Sequence, residues 1–314
     1  MKIVSDNSRI KNSNYNIATI GFFDGIHVGH KKILEELVSQ AKKNKGQSIL
    51  VTFWPHPRTV LNKKNSVDLL LSKEDKYLFL EEYGVDIIYL VEFTKTFSKV
   101  TADAFIKDFL IDKLQVDKLI IGYNHNFGYK REGNYSYLKK NRDRYDFDIQ
   151  EVKKEEIDKS LEISSSAIRE KVKSGKFSHV NKMLGYKFYI EGIVEKGDGI
   201  GKTIDFPTAN INSSVKSKIL PGDGVYAAHV NIGKEKLSGM VNIGFRPTVK
   251  GEDRRIELHI FNFNRNIYGS TLRIIFDSKI REEIMFKNMK DLKEQLEKDK
   301  IESIKLLNNE KVRN

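Results

Sequence analysis

Gly21-Phe22-Phe23-Asp24-Gly25-Ile26-His27-Val28-Gly29-His30 decides the reading of the first half of the chain. It emerges from Asn16–Phe23, an apolar run that reads as a strand. It feeds a segment in which Ile33, Leu34, Leu37, Val38 and Ala41 fall at helical spacing. The glycines let the backbone turn tightly and come close to a ligand. The helix that follows offers unpaired N–H groups and the positive end of its dipole to an anion. His27 and His30 can face the same anion, which suits a phosphoryl group gaining charge in a transition state. A metal-binding pair, with no third ligand obvious nearby, and an incidental pair are the alternatives. Within the turn, Gly21, Phe23, Asp24 and Gly29 are candidate nucleotide-binding residues, and His27 and His30 candidate catalytic ones.

Outward from this turn, strand and helix patterns alternate. Ser48–Phe53, Asp86–Phe93, Lys118–Tyr123 and Asp146–Val152 read as strands. Ser72, with Asp75 three residues on, and Thr101, ahead of Ala104, Phe105, Phe109 and Leu110, read as helix starts. Alternation of this kind predicts a doubly wound, parallel α/β sheet. Ligands then sit beyond the carboxyl ends of its strands. Further on, Glu162-Ile163-Ser164-Ser165-Ser166-Ala167-Ile168-Arg169 marks another helix start. Ser164 or Ser165 is a natural N-cap. The same residues can equally cradle phosphates, with Arg169 holding an oxygen.

The second half changes character. Phe188–Glu195, Gly224–Ile232, Leu237–Ile243, Arg255–Phe263 and Leu272–Ser278 read as strands, separated by turns such as Pro221-Gly222-Asp223-Gly224 and Tyr268-Gly269. Asn288–Leu306 reads as a closing helix. This pattern predicts an antiparallel β-barrel. The boundary is expected near residues 175–185, giving domains 1–180 and 181–314.

Chemistry-bearing residues recur in this half. Gly192–Lys202 is rich in glycine, and its Gly197, Gly201 and Lys202 can wrap phosphates or form a plain surface turn. Gly201-Lys202-Thr203 is not a Walker A loop, since it lacks the preceding glycine and the following helix. In Asp205-Phe206-Pro207-Thr208-Ala209-Asn210, the Thr208 hydroxyl and Asn210 amide share a face if the segment is extended. They can bind Mg²⁺, ATP oxygens or water, or simply precede a strand. Glu257 alternates with Ile256 and Leu258. Alternation alone favours a solvated face over a general base for it.

Composition narrows the function classes. Of 314 residues, 39% are hydrophobic, enough for ordinary cores, and none is cysteine. That excludes a disulfide framework and a cysteine-ligated zinc site. No apolar run is long enough for a transmembrane helix. Met1–Asp6 contains no apolar core of a secretory signal. A cytoplasmic setting without a membrane partner is expected. The net charge of +12 is spread along the chain in no long block. A solvated lysine surface and steering of a phosphorylated substrate explain it better than polynucleotide binding. A homo-oligomer stays open.

Taken together, the His-x-Gly-His element and the Ser-rich run with its trailing Arg169 resemble the nucleotidylyltransferase superfamily related to class I tRNA synthetases. Thr52-Phe53-Trp54-Pro55-His56-Pro57, Gly122-Tyr123-Asn124-His125-Asn126-Phe127-Gly128 and Arg131-Glu132-Gly133 sharpen the match. With them, the first half resembles the FMN adenylyltransferase module of the bacterial bifunctional riboflavin kinase/FAD synthetase. Asn124 stands where many members have Asp, so the resemblance implies a hydrogen-bonding role there. Phe206–Asn210, Leu220-Pro221 with Gly224–Ala227, Asn242–Thr248 and Glu257–Phe261 are similar, in order, to the riboflavin kinase module. Asn262 and Asn264 replace commoner aspartates. The resemblance implies riboflavin, FMN and ATP as substrates and FAD as product. It implies that Thr208 and Asn210 bind nucleotide and Mg²⁺, with Thr208 a metal ligand, and that Glu257 is the catalytic base. A nucleotidylyltransferase for another phosphorylated substrate is the nearest rival, and a basic RNA-binding module the rival of another class.

Overall fold

The computed structural model describes residues 1–5, 8–10, 15–61, 68–153, 163–197, 200–214, 217–248 and 251–311, with side chains described except at 200, 202, 245–248, 251–253 and 309–311. Glu162 and Asp198-Gly199 lie outside the described residues. The chain divides into two compact units, Met1–Ser165 and Ser166–Asn314.

The first unit is a parallel sheet of β1 (Lys2–Ser5), β2 (Asn16–Ile20), β3 (Gln47–Trp54), β4 (Ile87–Glu92), β5 (Lys118–Gly122) and β6 (Asp148–Val152). Its order is β1-β4-β3-β2-β5-β6, with every pairing parallel. Helices α1 (Val28–Lys43), α2 (Pro57–Leu61), α3 (Lys73–Glu82), α4 (Ala102–Phe105, running on as a π-helical segment Ile106–Ile111) and α5 (Tyr135–Lys140) join the strands. All five residues of β2 are buried, as a central strand covered on both faces requires. α1 buries Leu34, Leu37, Val38 and Ala41, the residues whose spacing marked it as a helix. Burial of each of the leucines and the valine is worth up to roughly 1.5–3 kcal/mol. Ser72 Oγ accepts the Asp75 amide at 2.9 Å and Thr101 Oγ1 the Ala104 amide at 3.2 Å, so both caps form where expected. The short edge strand β1 carries no such signal in sequence.

Chain order explains where a ligand goes. From β2 the sheet grows one way through β3 and β4 and the other way through β5 and β6. The carboxyl end of β2 is therefore the topological switch point, the place where sheets of this kind bind ligands. The strand stops at Ile20 rather than Phe23, leaving Gly21–His27 as the turn beyond that strand end.

In the second unit, α6 (Ser165–Lys173) and α7 (Phe177–Leu184) lead into a closed barrel. Its strands are β7 (Tyr189–Glu195), β8 (Ala209–Ser213), β9 (Gly224–Ile232), β10 (Glu235–Thr248), β11 (Gly251–Ile260) and β12 (Thr271–Arg281), in the order β10-β11-β8-β7-β12-β9. α8 (Met289–Lys311) closes the unit. The compact division falls earlier than the 175–185 stretch. The reason is α7: Phe177 stacks on Phe276 at 5.1 Å and Phe188 at 5.8 Å, and meets Tyr226 edge-on at 5.8 Å. Gly175 has a positive φ of 69° and leaves no space for a Cβ beside Lys279 and Tyr226.

Candidate active sites

In the first unit, His27 caps α1: its Nδ1 accepts the His30 amide at 3.3 Å. The two imidazoles stack with centroids 3.6 Å apart, and Phe23 packs on His30 at 4.7 Å. The turn reaches this geometry through positive φ at Phe23, Gly25 and Ile26. Glycine is required at Gly21, where a Cβ would lie 2.7 Å from the Phe23 ring. Gly29 likewise keeps clear of the His27 ring. Asp24 is buried and accepts the amides of Leu70 and Leu71 at 3.0–3.2 Å, so its carboxylate ties the turn to the segment before α3. Its carbonyl accepts the Ser165 hydroxyl at 2.9 Å. Ser165 of the serine-rich run thus meets the turn. Ser164 directly precedes α6, and Arg169 follows on that helix.

Burial dominates the electrostatics. His27 is lowered to about 4 by desolvation, and His30 well below the imidazole range by desolvation with His27, His125 and Lys76 adding to it. His125 is lowered to about 4, again by burial, with Arg131 adding to it. His30 Nδ1 and His125 Nε2 are buried without a hydrogen-bond partner. Buried polar atoms without a partner are rare, so these nitrogens are candidates for contact with a bound ligand. Sequence reasoning singled out neither His125 nor Lys76. His125 lies beside Asn124 in a matched run, but only packing shows that its nitrogen is enclosed. Asn124 itself is exposed. The Arg131-Glu132-Gly133 run holds this loop in place. Glu132 accepts the Ala102 amide at 2.8 Å, and Gly133 exchanges two backbone hydrogen bonds with Phe127.

In the second unit, Asn210 and Glu257 are register partners across β8 and β11. Both line a cavity of about 350 Å³ together with Gly201, Thr208, Asn242, His259, Arg281 and Glu283. Alternation favoured a solvated face for Glu257. In the structure that face is covered: Ile204, Phe206, Val225, Met240 and Phe261 pack with Leu292, Leu296 and Leu307 of α8. The strand pattern marks two faces but cannot announce a helix more than thirty residues later. Gly197 abuts Asn210 so closely that a Cβ would sit 1.7 Å from its Nδ2, so the glycine-rich turn and Asn210 meet. A Cβ at Gly201 would lie 2.2 Å from the Phe206 carbonyl. Lys202 falls in the turn Ile200–Ile204, with its side chain outside the described set. Thr208 also borders a second cavity of about 630 Å³, with Phe263, Asn264 and Tyr268.

Two further residues organise this site. His259 Nδ1 lies 2.8 Å from the Pro207 carbonyl, which can only accept, so Nδ1 carries the proton and pins the Thr208 segment to β11. Burial lowers its pKa. Arg281 forms a fork with Asp299 at 2.7–3.0 Å, fixing α8 against β12 beside the cavity. No group of three or more His, Cys, Asp or Glu side chains with metal-ligand geometry occurs among the described residues.

Comparison with known proteins covers both units. A family profile for FAD synthetase matches residues 9–167, and one for riboflavin kinase matches residues 184–307. The bifunctional riboflavin kinase/FMN adenylyltransferase of Buchnera aphidicola is 38% identical over 97% of this chain and 98% of its own length. Its namesakes in Bacillus subtilis and Escherichia coli are 36% and 34% identical, covering 93% and 91% of this chain and 93% and 90% of theirs. A crystal structure described as a macrolide-efflux protein from Streptococcus pneumoniae aligns with a TM-score of 0.85 at 28% identity, over 96% of this chain and 98% of that one. That description belongs to the pneumococcal protein; among the described residues here, no helix is long and apolar enough to cross a membrane. Two sites, two matching profiles in the same order and relatives of the same length together mean that the chain belongs to the bifunctional riboflavin kinase/FMN adenylyltransferase family.

Proposed function

We propose that the chain makes FAD from riboflavin in two steps, one in each unit. The observation that carries this is the pair of separate sites, an imidazole cluster at a parallel-sheet switch point and a carboxylate-lined barrel cavity, in one family member. In the second unit, the ribityl 5′-hydroxyl gives its proton to Glu257 as its oxygen bonds the γ-phosphorus of ATP, and ADP leaves. Asn210 and Thr208, with Gly197, Gly201 and Lys202 of the glycine-rich turn, hold the nucleotide. The donor set fits Mg²⁺: the Thr208 hydroxyl and Asn210 amide offer hard oxygens, and this ion fills its shell with phosphates and water. When bound, it neutralises phosphate charge. Thr208 is its proposed protein ligand.

In the first unit, the FMN phosphate attacks the α-phosphorus of a second ATP, and pyrophosphate leaves. No protein nucleophile is required. His27 and His30 stabilise the charge that develops, Ser164 and Ser165 supply donors at the start of α6, and Arg169 holds a phosphate oxygen. Gly21, Phe23, Asp24 and Gly29 shape the turn against the nucleotide, and Asn124 hydrogen-bonds substrate. Riboflavin, FMN and ATP are the partners in this reading. Nucleic acid and membranes are not, and the setting is cytoplasmic. The test is to incubate purified protein with riboflavin and MgATP and separate the flavins. FMN and FAD are expected. FAD with no FMN formed on the way, or neither product, would overturn the two-step reading.

A further inference from the structure

Lys76 is a charged side chain at a position where a core side chain would fit. It is 3% exposed. Its Nζ donates to the Phe22 carbonyl at 3.1 Å and the Thr52 hydroxyl at 3.3 Å, and lies 4.4 Å from the centre of the Phe22 ring. All three partners are neutral. Among the described residues, no carboxylate lies within salt-bridge distance of it. Its acidic neighbour is Asp24, whose carboxylate already accepts the Leu70 and Leu71 amides.

A buried ammonium without a paired anion is costly, and a methionine would fill the same volume without the penalty. The position explains why a charge is there. Phe22 belongs to the turn that carries His27 and His30. Thr52 lies near the carboxyl end of β3, next to β2. Lys76 is also close enough to His30 to oppose its protonation. With His27, His30 and His125 neutral near pH 7, the ammonium supplies standing positive charge on the His30 side of the cluster, as Arg131 does beside His125. We propose that Lys76 is an electrostatic positioning residue of adenylyl transfer, a cation without a salt-bridged carboxylate, held behind the Phe22–His30 turn, whose counter-ion is the polyphosphate of the nucleotide. This rests on reading that turn as the adenylyl-transfer centre.

Burial brings Lys76 down to about 8, with Asp24 opposing the shift and Lys73 adding to it. The charge is thus present below about pH 8 in the free protein and lost above it. Polyphosphate binding favours the charged form, so capture of ATP weakens as the pH rises through this value.

The test follows FAD formation from supplied FMN and MgATP by the full chain, with kcat/KM for ATP measured between pH 6.5 and 9.5 for the parent, Lys76→Arg and Lys76→Met. The parent is expected to decline above about pH 8, as free-enzyme titrations appear in kcat/KM. Lys76→Met should lose on the order of 10- to 100-fold at pH 7 and show no such decline. Lys76→Arg should retain activity at high pH, because arginine stays charged. Riboflavin phosphorylation should be unchanged in both variants, and thermal melts should show Lys76→Met no less stable than the parent. A Lys76→Met chain that forms FAD at the parental rate overturns the proposal. So does one that loses rate but keeps the alkaline decline, or one whose melting point falls along with both activities. A parent chain that phosphorylates riboflavin but never adenylylates FMN overturns the reading of the site itself, and the proposal with it.

Discussion

Asn210 on β8 and Glu257 on β11 stand directly opposite each other in an antiparallel pair, so an amide and a carboxylate share one wall of the barrel cavity. Directly opposed side chains in such a pair lie about 4.5–5.5 Å apart at Cβ. In the proposed kinase reaction, this pairing brings nucleotide at Asn210 within reach of Glu257 as base.

Replacing that base is the first test. Glu257→Gln keeps the shape and removes the basicity. Riboflavin phosphorylation should fall by roughly 10²–10⁴. FAD formation from supplied FMN should stay near the parental rate. Equal loss of both activities would point to misfolding, which thermal melts would reveal.

The stacked imidazoles predict the converse. If they face phosphate as proposed, His27→Ala or His30→Ala should lower FAD formation by roughly 10²–10³. FMN should then accumulate from riboflavin and ATP. Parental FAD formation in both variants would remove these residues from the site.

Acid should weaken the first unit. The unfolded chain binds protons at histidine below about pH 6.5. Folded His27 and His125 stay neutral down to about 4. The unfolded state then binds more protons, so stability is full above pH 6.5 and is lost between pH 6.5 and 4. For His27 alone the loss across that window is on the order of 2–3 kcal/mol. Chemical denaturation followed against pH should show it, and His125→Phe should make the fall shallower. A flat profile would contradict the buried, neutral assignment.

The place where the barrel unit starts can be read from fragments. A chain of residues 166–314 keeps Phe177 against Phe188, Tyr226 and Phe276. A chain of 181–314 loses that ring, at a cost of roughly 3–5 kcal/mol on the scale of core phenylalanine truncations. Circular dichroism melts should rank the longer fragment as clearly more stable, and it should phosphorylate riboflavin. Equal melting points would show that α7 is dispensable to the barrel.

Asp299 ties α8 to the barrel and is 1% exposed. Asp299→Ala leaves the Arg281 guanidinium partly buried without its carboxylate, a change that typically costs about 3–5 kcal/mol. We expect a lower melting point and a raised KM for riboflavin with FAD formation from FMN retained. An unchanged KM would mean that the α8 wall of the cavity does not contact the flavin.

Much of the molecule is legible in its sequence. The period of the apolar residues separated a parallel α/β half from a barrel half. Ser72 and Thr101 named their own helix starts because a cap is a local bond, formed within three residues. The glycines at 21, 29, 197 and 201 were picked out by composition, and close packing explains each of them. β1 escaped because four exposed or half-exposed edge residues have no distinctive period.

What sequence determined about this protein is whatever depends on neighbours along the chain: strand or helix, cap or turn, and the motifs that mark its family. What only the tertiary structure decided is which distant residues meet. Asp24 holds the amides of Leu70 and Leu71, Lys76 reaches Phe22, His259 holds Pro207, and α8 covers the face of β11 that alternation assigned to solvent. Strand order and register fix these meetings, and both are settled by the packing of the whole unit. For the same reason the titration of His30 and Lys76 is invisible in sequence, since it is set by how completely the fold removes water from them.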